Sequence, residues 1–325
     1  MGNVRTRLYR DGTLAKEDFP IDEVSDCVCE PNTLVWIDFL KPDESDLAAL
    51  AEELGLHRLA VEDAVSPHQR AKVDRYASHL FLTAYAARLD RSDYSLVKTE
   101  IDAFIGSQWL VTVRSSDDFV MAPVLERWDR SPDMVAIGVG FLVHGLLDEI
   151  VDGYFDTVAQ FDEYYDDISD GIFSDLPLGP GQQREWFEMR RTLARFYRLV
   201  APLREAMSAL MHREQQLTKP ELLPYYQDLY DHVVVVSEST DSVRDLASSL
   251  VEANLSLRDY RQNQVMKKVS SWAAIIAVPT LITGYYGMNV PYPTEGQRIG
   301  VVVSSVLMAM CSYGLYRLFK RRDWL

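Results

Sequence analysis

The clearest pattern along the chain lies near its C-terminal end. Residues 269–286 and 299–316 contain no charged side chain. Each run is about 18 residues, near the shortest apolar stretch that crosses a bilayer as a helix. Lys267 and Lys268 precede the first run; Arg317, Lys320, Arg321 and Arg322 follow the second. That bracketing is what the positive-inside rule asks of a two-span hairpin. It predicts both chain ends in the cytoplasm and the short polar segment from Asn289 to Arg298 outside. Two buried helices of a soluble protein would not need charge at these places. A transmembrane domain is therefore expected over 269–325, in the cell membrane.

Ahead of it the apolar spacing changes twice. Residues 1–135 read as an α/β domain. An apolar run predicts a strand over 33–39. Pro42 to Asp46 supplies a helix start, 47–54 a short helix, and Gly55 its stop. A second helix is expected over 58–65 and a strand over 80–88. Residues 99–105 and 109–114 alternate around Gly106-Ser107-Gln108, a hairpin signal. A helix over 119–129 ends at Ser131-Pro132.

From about Met134 the period becomes helical. Residues 145–183 hold ten acidic side chains and no Lys or Arg. Leu146, Ile150, Val151, Tyr154, Phe155, Val158, Phe161 and Tyr165 recur at helical spacing, which predicts an amphipathic helix with one acidic face. The Pro- and Gly-rich segment 176–181 breaks it. The next helix, 184–212, is basic, so residues 136–220 read as an antiparallel hairpin of opposite charge. The acidic face is either a solvated one or a diffuse collector for cations.

Beyond Pro220 and Pro224, Leu229, Val233, Val236, Thr240, Val243, Ala247, Leu250, Asn254 and Leu257 recur in steps of four and three. This is a coiled-coil-like seam. No proline interrupts residues 225–278, so a stalk helix over 221–268 is expected to continue into the first span, about 90 Å in all. Such a seam needs neighbours, which predicts a symmetric oligomer. Thr240 and Asn254 suggest that its interior is partly wet.

Composition narrows the function. A net charge of −16 over 325 residues argues against a nucleic-acid partner. Cys27, Cys29 and Cys311 make no disulfide framework and no zinc pattern, and are read as reduced thiols. The polar N-terminus carries no signal-peptide pattern. His57, Glu62, Asp63 and His68 match no zinc spacing, so surface or capping roles are expected. No repeat or glycine-rich phosphate loop occurs, and neither an enzyme activity nor an organic cofactor is expected.

Tyr286-Gly287-Met288-Asn289 closes the first span. A Gly-Met-Asn turn at the outer mouth of a two-span hairpin resembles the signature of the CorA family of divalent-cation channels. Trp36-Ile37-Asp38, residues 56–63 and residues 72–76 are similar to soluble-domain segments of that family, so the resemblance covers most of the chain. It implies a CorA-like fold: an α/β cytoplasmic domain, a long stalk helix continuing into the first of two transmembrane helices, and a homopentamer in the lipid bilayer. It implies passive transport of Mg2+, with Co2+ or Ni2+ as further ions of the family. The filter would be Gly287, Met288 and Asn289. Met266, Val269, Thr280 and Gly284 match pore-lining positions, with Met266 and Val269 forming an apolar constriction. Asp63, Asp228 and Glu252 match carboxylates that would hold a regulatory Mg2+ between subunits. The outer segment has one acid, Glu295, beside Arg298, fewer than family members with acidic loops. Two alternatives stand: a zinc transporter of the ZntB type, which shares the turn, and a non-conducting membrane sensor of metal.

Overall fold

In the computed structural model, β1 (Asn3–Arg10), β2 (Thr13–Glu17), β3 (Thr33–Leu40), β4 (Lys72–Arg75), β5 (Leu80–Leu89), β6 (Leu96–Ile105) and β7 (Trp109–Arg114) form one sheet in the order β2-β1-β3-β7-β6-β5-β4. The structure describes residues 3–66, 69–173, 179–214, 217–289 and 298–325. They belong to two units, Met1–Ser248 and Ser249–Leu325. All strand pairs are antiparallel except β3 with β7. β3 is buried along nearly its whole length, as an apolar strand covered on both faces must be. β1, β2 and β4 add to the strands that the hydrophobic pattern predicts. β2 is exposed at every position and β4 is polar, so neither carries an apolar face for a sequence pattern to reveal.

One face of the sheet is covered by α1 (Val24–Cys29), α2 (Glu44–Leu54) and α3 (Arg58–Val65). Leu47, Leu50, Ala60, Val61 and Ala64 pack with Val35, Ile37, Phe39, Val111 and Val113 in one apolar core. Local chemistry sets the ends of these helices. Asp43 and Asp46 form a reciprocal capping box on α2, and Gly55 ends it at φ +64°. His57 caps α3, its Nδ1 accepting the Leu59 N–H at 3.2 Å. The expected capping role is therefore met at His57; His68 lies outside the described residues.

The other face carries α4 (Ala122–Asp129), followed by the short α5 (Pro132–Val135), and α6 (Val139–Phe173). Trp128 of α4 meets Trp36 edge to face at 5.4 Å. β4 pairs with β5 only over Leu80 to Thr83. Further along β5, hydroxyls of α6 take up backbone carbonyls: Tyr154 donates to Tyr85, and Thr157 to Ala87 at 3.1 Å. Between β3 and β7 lies a buried polar network. Arg114 donates to both carboxylate oxygens of Asp38, at 2.6–3.1 Å, and to the Phe119 carbonyl at 3.0 Å. Thr112 donates to Asp38 and accepts from Trp36 Nε1. Every charge in it is matched, which is the condition for keeping an ion pair inside.

α7 (Pro180–Arg213) packs on α6 through aromatic rings, Phe196 lying 5.6 Å from Tyr154 and 5.7 Å from Phe161. The acidic and basic helices do lie against each other, but their contact is apolar. Among the described residues no ion pair joins α6 to α7. The acids of α6 that are paired meet Arg127 of α4 instead, and Asp156, Asp162, Glu163, Asp166, Asp167 and Asp170 are exposed. Apolar matching, not charge, holds these two helices together.

α8 runs unbroken from Leu223 to Tyr286. Leu229, Val233, Val236, Thr240, Val243 and Ala247 of the seam are buried within a single chain. Tyr226 donates to the Gly140 carbonyl of α6 at 2.8 Å, and Arg244 lies 4.0 Å from the Tyr197 ring of α7. This part of the seam is thus satisfied by the chain's own helices and gives no argument for an oligomer. Thr240 is not a wet position: it is fully buried and donates to Val236 one turn back, at 2.7 Å.

The second unit holds the rest of α8 and α9 (Arg298–Arg321). Both helices are long and apolar enough to span a membrane. Ile276, Leu281, Val301 and Met310 are all more than half exposed. Apolar surface of this extent calls for lipid or protein, not water. For the first unit, Asp38→Ala leaves Arg114 buried and unpaired, and is expected to cost about 3–5 kcal/mol of stability. Glu126→Ala, which breaks an exposed pair with Arg130, should cost less than about 0.5 kcal/mol. Thermal unfolding of both variants checks the contrast.

Candidate functional site

An α-helix advances about 100° per residue. On α8 that places Met266, Val269, Ala273, Ile276, Thr280 and Gly284 within about 40° of one line along the helix, with Gly287 just past its end. All seven are exposed. The opposite side is more covered: Ser271 is buried, and Ile275, Val278 and Ile282 are partly so. The four residues expected to line a pore therefore share one open stripe. Along it, Thr280 donates to the Ile276 carbonyl at 3.0 Å, so the hydroxyl is satisfied by its own helix. Gly284 has open space where a side chain would stand. Ala273, Ala277, Thr280, Gly284 and Met288 line a shallow groove there. Small residues leave room for close approach of another helix or of hydrated ions.

The helix ends at the expected turn. The Gly287 N–H bonds to the Thr283 carbonyl at 2.9 Å and that of Met288 to Tyr285 at 3.3 Å. A side chain on Gly287 would lie 3.1 Å from the Thr283 carbonyl oxygen, a tight fit that explains a glycine at this step. Met288 and Asn289 are exposed beyond it. Glu295 lies outside the described residues.

The expected regulatory carboxylates have separate settings. Asp63, near the end of α3, accepts from Lys72 at 2.7 Å and from Gln69 at 3.2 Å. Lys72 also pairs with Asp74 at 2.8 Å. Partial burial opposes the charge on Lys72, but hydrogen bonds to Asp63 and Asp74 outweigh it and push its pKa up to about 12. Asp228 is exposed on α8, with His232 one turn away at 4.0 Å. Within one chain the bonds of Asp63 and Asp228 run to these other residues and not to each other. Glu252, in the second unit, is exposed.

What the fold does bring together was not legible as a site. Single ligand atoms of Asp148, Asp152 and His232 all lie within 4.8 Å of one another. Asp148 and Asp152 are one turn apart on α6; Asp228 and His232 are one turn apart on α8. Each pair sits at i,i+4 spacing and so shares a helix face. That spacing is the signal in the sequence, but it is diluted by the other acids of α6. The Nδ1 atom of His232 is buried without a partner, and its ring meets Phe155 edge on at 5.6 Å. Carboxylate oxygens suit Mg2+, and an imidazole nitrogen widens the set towards transition ions. Arg127 reaches the same cluster, pairing with Asp148 and lying 3.8 Å from Asp152.

A second acidic feature lies beneath α3. Asp102 accepts from Thr83 at 2.6 Å, in the floor of a cavity of about 190 Å³ lined by Ala64, Val65, Glu100 and Arg114. Burial, reinforced by the neighbouring Glu100 and Asp63, pushes the Asp102 carboxyl up to about 8.

A family model described as CorA-like Mg2+ transporter protein matches residues 31–321. The chain is 26% identical over 299 residues to the cobalt/magnesium transport protein CorA of Thermotoga maritima, covering 91% of this chain and 85% of that one. It is 24% identical over 325 residues to the protein of the same name from Methanocaldococcus jannaschii, covering 98% of each. The complete structure of the magnesium transporter CorA from that organism superposes with a TM-score of 0.74 at 21% identity, over 90% of this chain and 92% of the other. At that identity the superposition establishes the shared fold.

The Asp102 carboxyl generates a prediction with a defined sign. Its pKa is raised on folding from the ordinary 3.8 to about 8. The stability it contributes is complete below the unfolded value and is lost as pH rises towards the folded one. Thermal midpoints should therefore carry a downward component between pH 4 and pH 8 that Asp102→Asn removes. A profile of the same slope in the variant would refute this assignment.

Proposed function

This chain belongs to the CorA-like Mg2+ transporter protein family, and we propose that it is a passive channel through which the membrane potential drives Mg2+ inward. The observation that carries the reading is that Met266, Val269, Thr280 and Gly284 lie along one line on the exposed side of α8, which leads to Gly287 and Asn289 just beyond its end. Several copies arranged about an axis would turn that stripe into the wall of a pore. The family resemblance implies five copies, and the exposed apolar surface of the second unit supplies the reason for association and for residence in the bilayer.

Mg2+ gives up its water reluctantly. A ring of Asn289 amide oxygens accepts hydrogen bonds from that water shell without gripping the ion as carboxylates would. Met266 and Val269 form an apolar ring that closes the path by dewetting. No ATP is needed, since a divalent ion moving through ~100 mV gains roughly 4–5 kcal/mol. Co2+ and Ni2+ hold their water in a similar shell and are candidate secondary cargo.

Closure is assigned to cytosolic Mg2+ bound at carboxylates. Asp63 of one copy facing Asp228 of its neighbour would repel until a cation lies between them, and Glu252 is an additional acidic position. The cluster of Asp148, Asp152 and His232 supports this reading, because it places further ligand atoms within a turn of Asp228. Mg2+ thus acts as cargo and as regulator, and the chain's residues require no organic group.

The test is Mg2+ uptake into proteoliposomes with an inside-negative potential, with Zn2+ in parallel. Wild type should pass Mg2+, and Asn289→Ala, with its oligomer intact, should fall to the leak of protein-free vesicles. Zn2+ flux without Mg2+ flux would replace this reading by a zinc transporter; no flux of either ion would replace it by a sensor. Asp63→Ala combined with Asp228→Ala should conduct at internal Mg2+ concentrations that silence the wild type. Unchanged closure in that double variant would remove the clamp.

A further inference from the structure

Both sets of candidate sensing carboxylates already hold a cation, and in both it is a side chain of the chain's own. Arg127 reaches across from α4 to Asp148 and Asp152 on α6. Lys72, on β4, binds Asp63. The placement of Arg127 is built into the packing. Gly145, one turn before Asp148 on α6, lets α4 lie close: a side chain there would come 2.7 Å from Trp128 Nε1 and 3.5 Å from the Arg127 side chain. Trp128 is fully buried, anchored against Trp36 and Tyr9. Arg127, its neighbour, keeps 32% of its side chain exposed and its guanidinium beside the two carboxylates.

The cluster therefore has an occupant before any metal arrives. Asp148 is largely buried, with 14% of its side chain exposed, and a carboxylate in that position needs a partner. The guanidinium satisfies this need with one charge and a planar fork of donors. A divalent ion offers two charges at a point, but has to push the fork aside to use Asp148 and Asp152 together with His232. Binding is then an exchange and not an addition, and the affinity measured is the difference between the two.

We infer that Arg127 is a tethered competitor for the cation site formed by Asp148, Asp152 and His232, and that its hold on these carboxylates sets the Mg2+ concentration at which the site fills. Lys72 plays the same part at Asp63. The inference rests on the proposed sensing of Mg2+ by these carboxylates. It goes further in assigning the threshold to basic residues that ligate nothing.

The experiment is the thermal midpoint of the full-length protein in detergent, followed against MgCl2 at constant ionic strength, with closure of flux measured in parallel. Wild type should be stabilised by Mg2+ with a saturable midpoint, and Asp148→Asn should abolish that saturation. Arg127→Gln should saturate at Mg2+ concentrations roughly three- to tenfold lower than wild type, the range expected when a partly exposed ion pair no longer competes. Arg127→Lys keeps the charge without the fork and should lie between the two; it also serves as the test if the Gln variant does not fold. Lys72→Gln, in an otherwise wild-type chain, should likewise lower the internal Mg2+ concentration at which flux closes; unchanged closure would overturn the part assigned to Lys72. Arg130→Gln, paired with Glu126 elsewhere on the surface, should leave the wild-type midpoint unchanged. A midpoint in Arg127→Gln equal to or above that of wild type overturns the competitor while leaving the sensing site standing. Absence of Mg2+-dependent stabilisation in wild type overturns both.

Discussion

The structure depends on the continuity of α8. One helix without a break has to present an apolar seam to its own chain at the start and an apolar surface to lipid or to other copies at the end. Its periodicity is the same throughout, so what changes along it is the chemistry of the faces. From Leu229 to Ala247 the buried side is aliphatic and meets α6 and α7. From Met266 to Gly287 the exposed stripe is apolar and small, with hydroxyls turned back on the helix.

Charge is handled in three ways in the first unit. The Asp38–Arg114 pair is sealed between two strands with every partner in place, where it serves the fold. Asp102 is buried without a basic partner in hydrogen-bond contact, accepts from Thr83, and has its pKa raised to about 8 by burial and the nearby acids. Asp148, Asp152 and Asp63 lie at the margin, paired with basic side chains that water still reaches. Only this last arrangement is exchangeable.

The GMN turn and the two uncharged runs identify the membrane part and its family because a bilayer imposes length, apolarity and flanking charge on consecutive residues. The strands over Thr33–Leu40, Leu80–Leu89 and Trp109–Arg114 are legible for a related reason: buried on both faces, they are written as apolar runs. β2 and β4 were not legible, since an edge strand with polar side chains looks like a loop until its hydrogen-bonding partner is known. The helix pair α6–α7 was misjudged in its cohesion. The sequence displays charge along both helices but not which faces meet, and the faces that meet are aromatic.

Patterns local to one segment were thus decided by the sequence alone: the two apolar runs, the turn at Gly287, the shared line of Met266, Val269, Thr280 and Gly284, the amphipathic α6 and the caps at Asp43, Gly55 and His57. Each follows from helix or strand periodicity, or from a side chain bonding to its own backbone. Tertiary structure alone decided which carboxylates are neighbours. Asp148 and His232 are 84 positions apart by number, and their meeting depends on α6 and α8 packing through Tyr226 and Gly140. Tertiary structure also decided that the first half of the seam is spent inside the chain, and that Arg127 and Lys72 already occupy the acids a cation would seek. Electrostatic partners act through space, over distances that sequence separation does not measure.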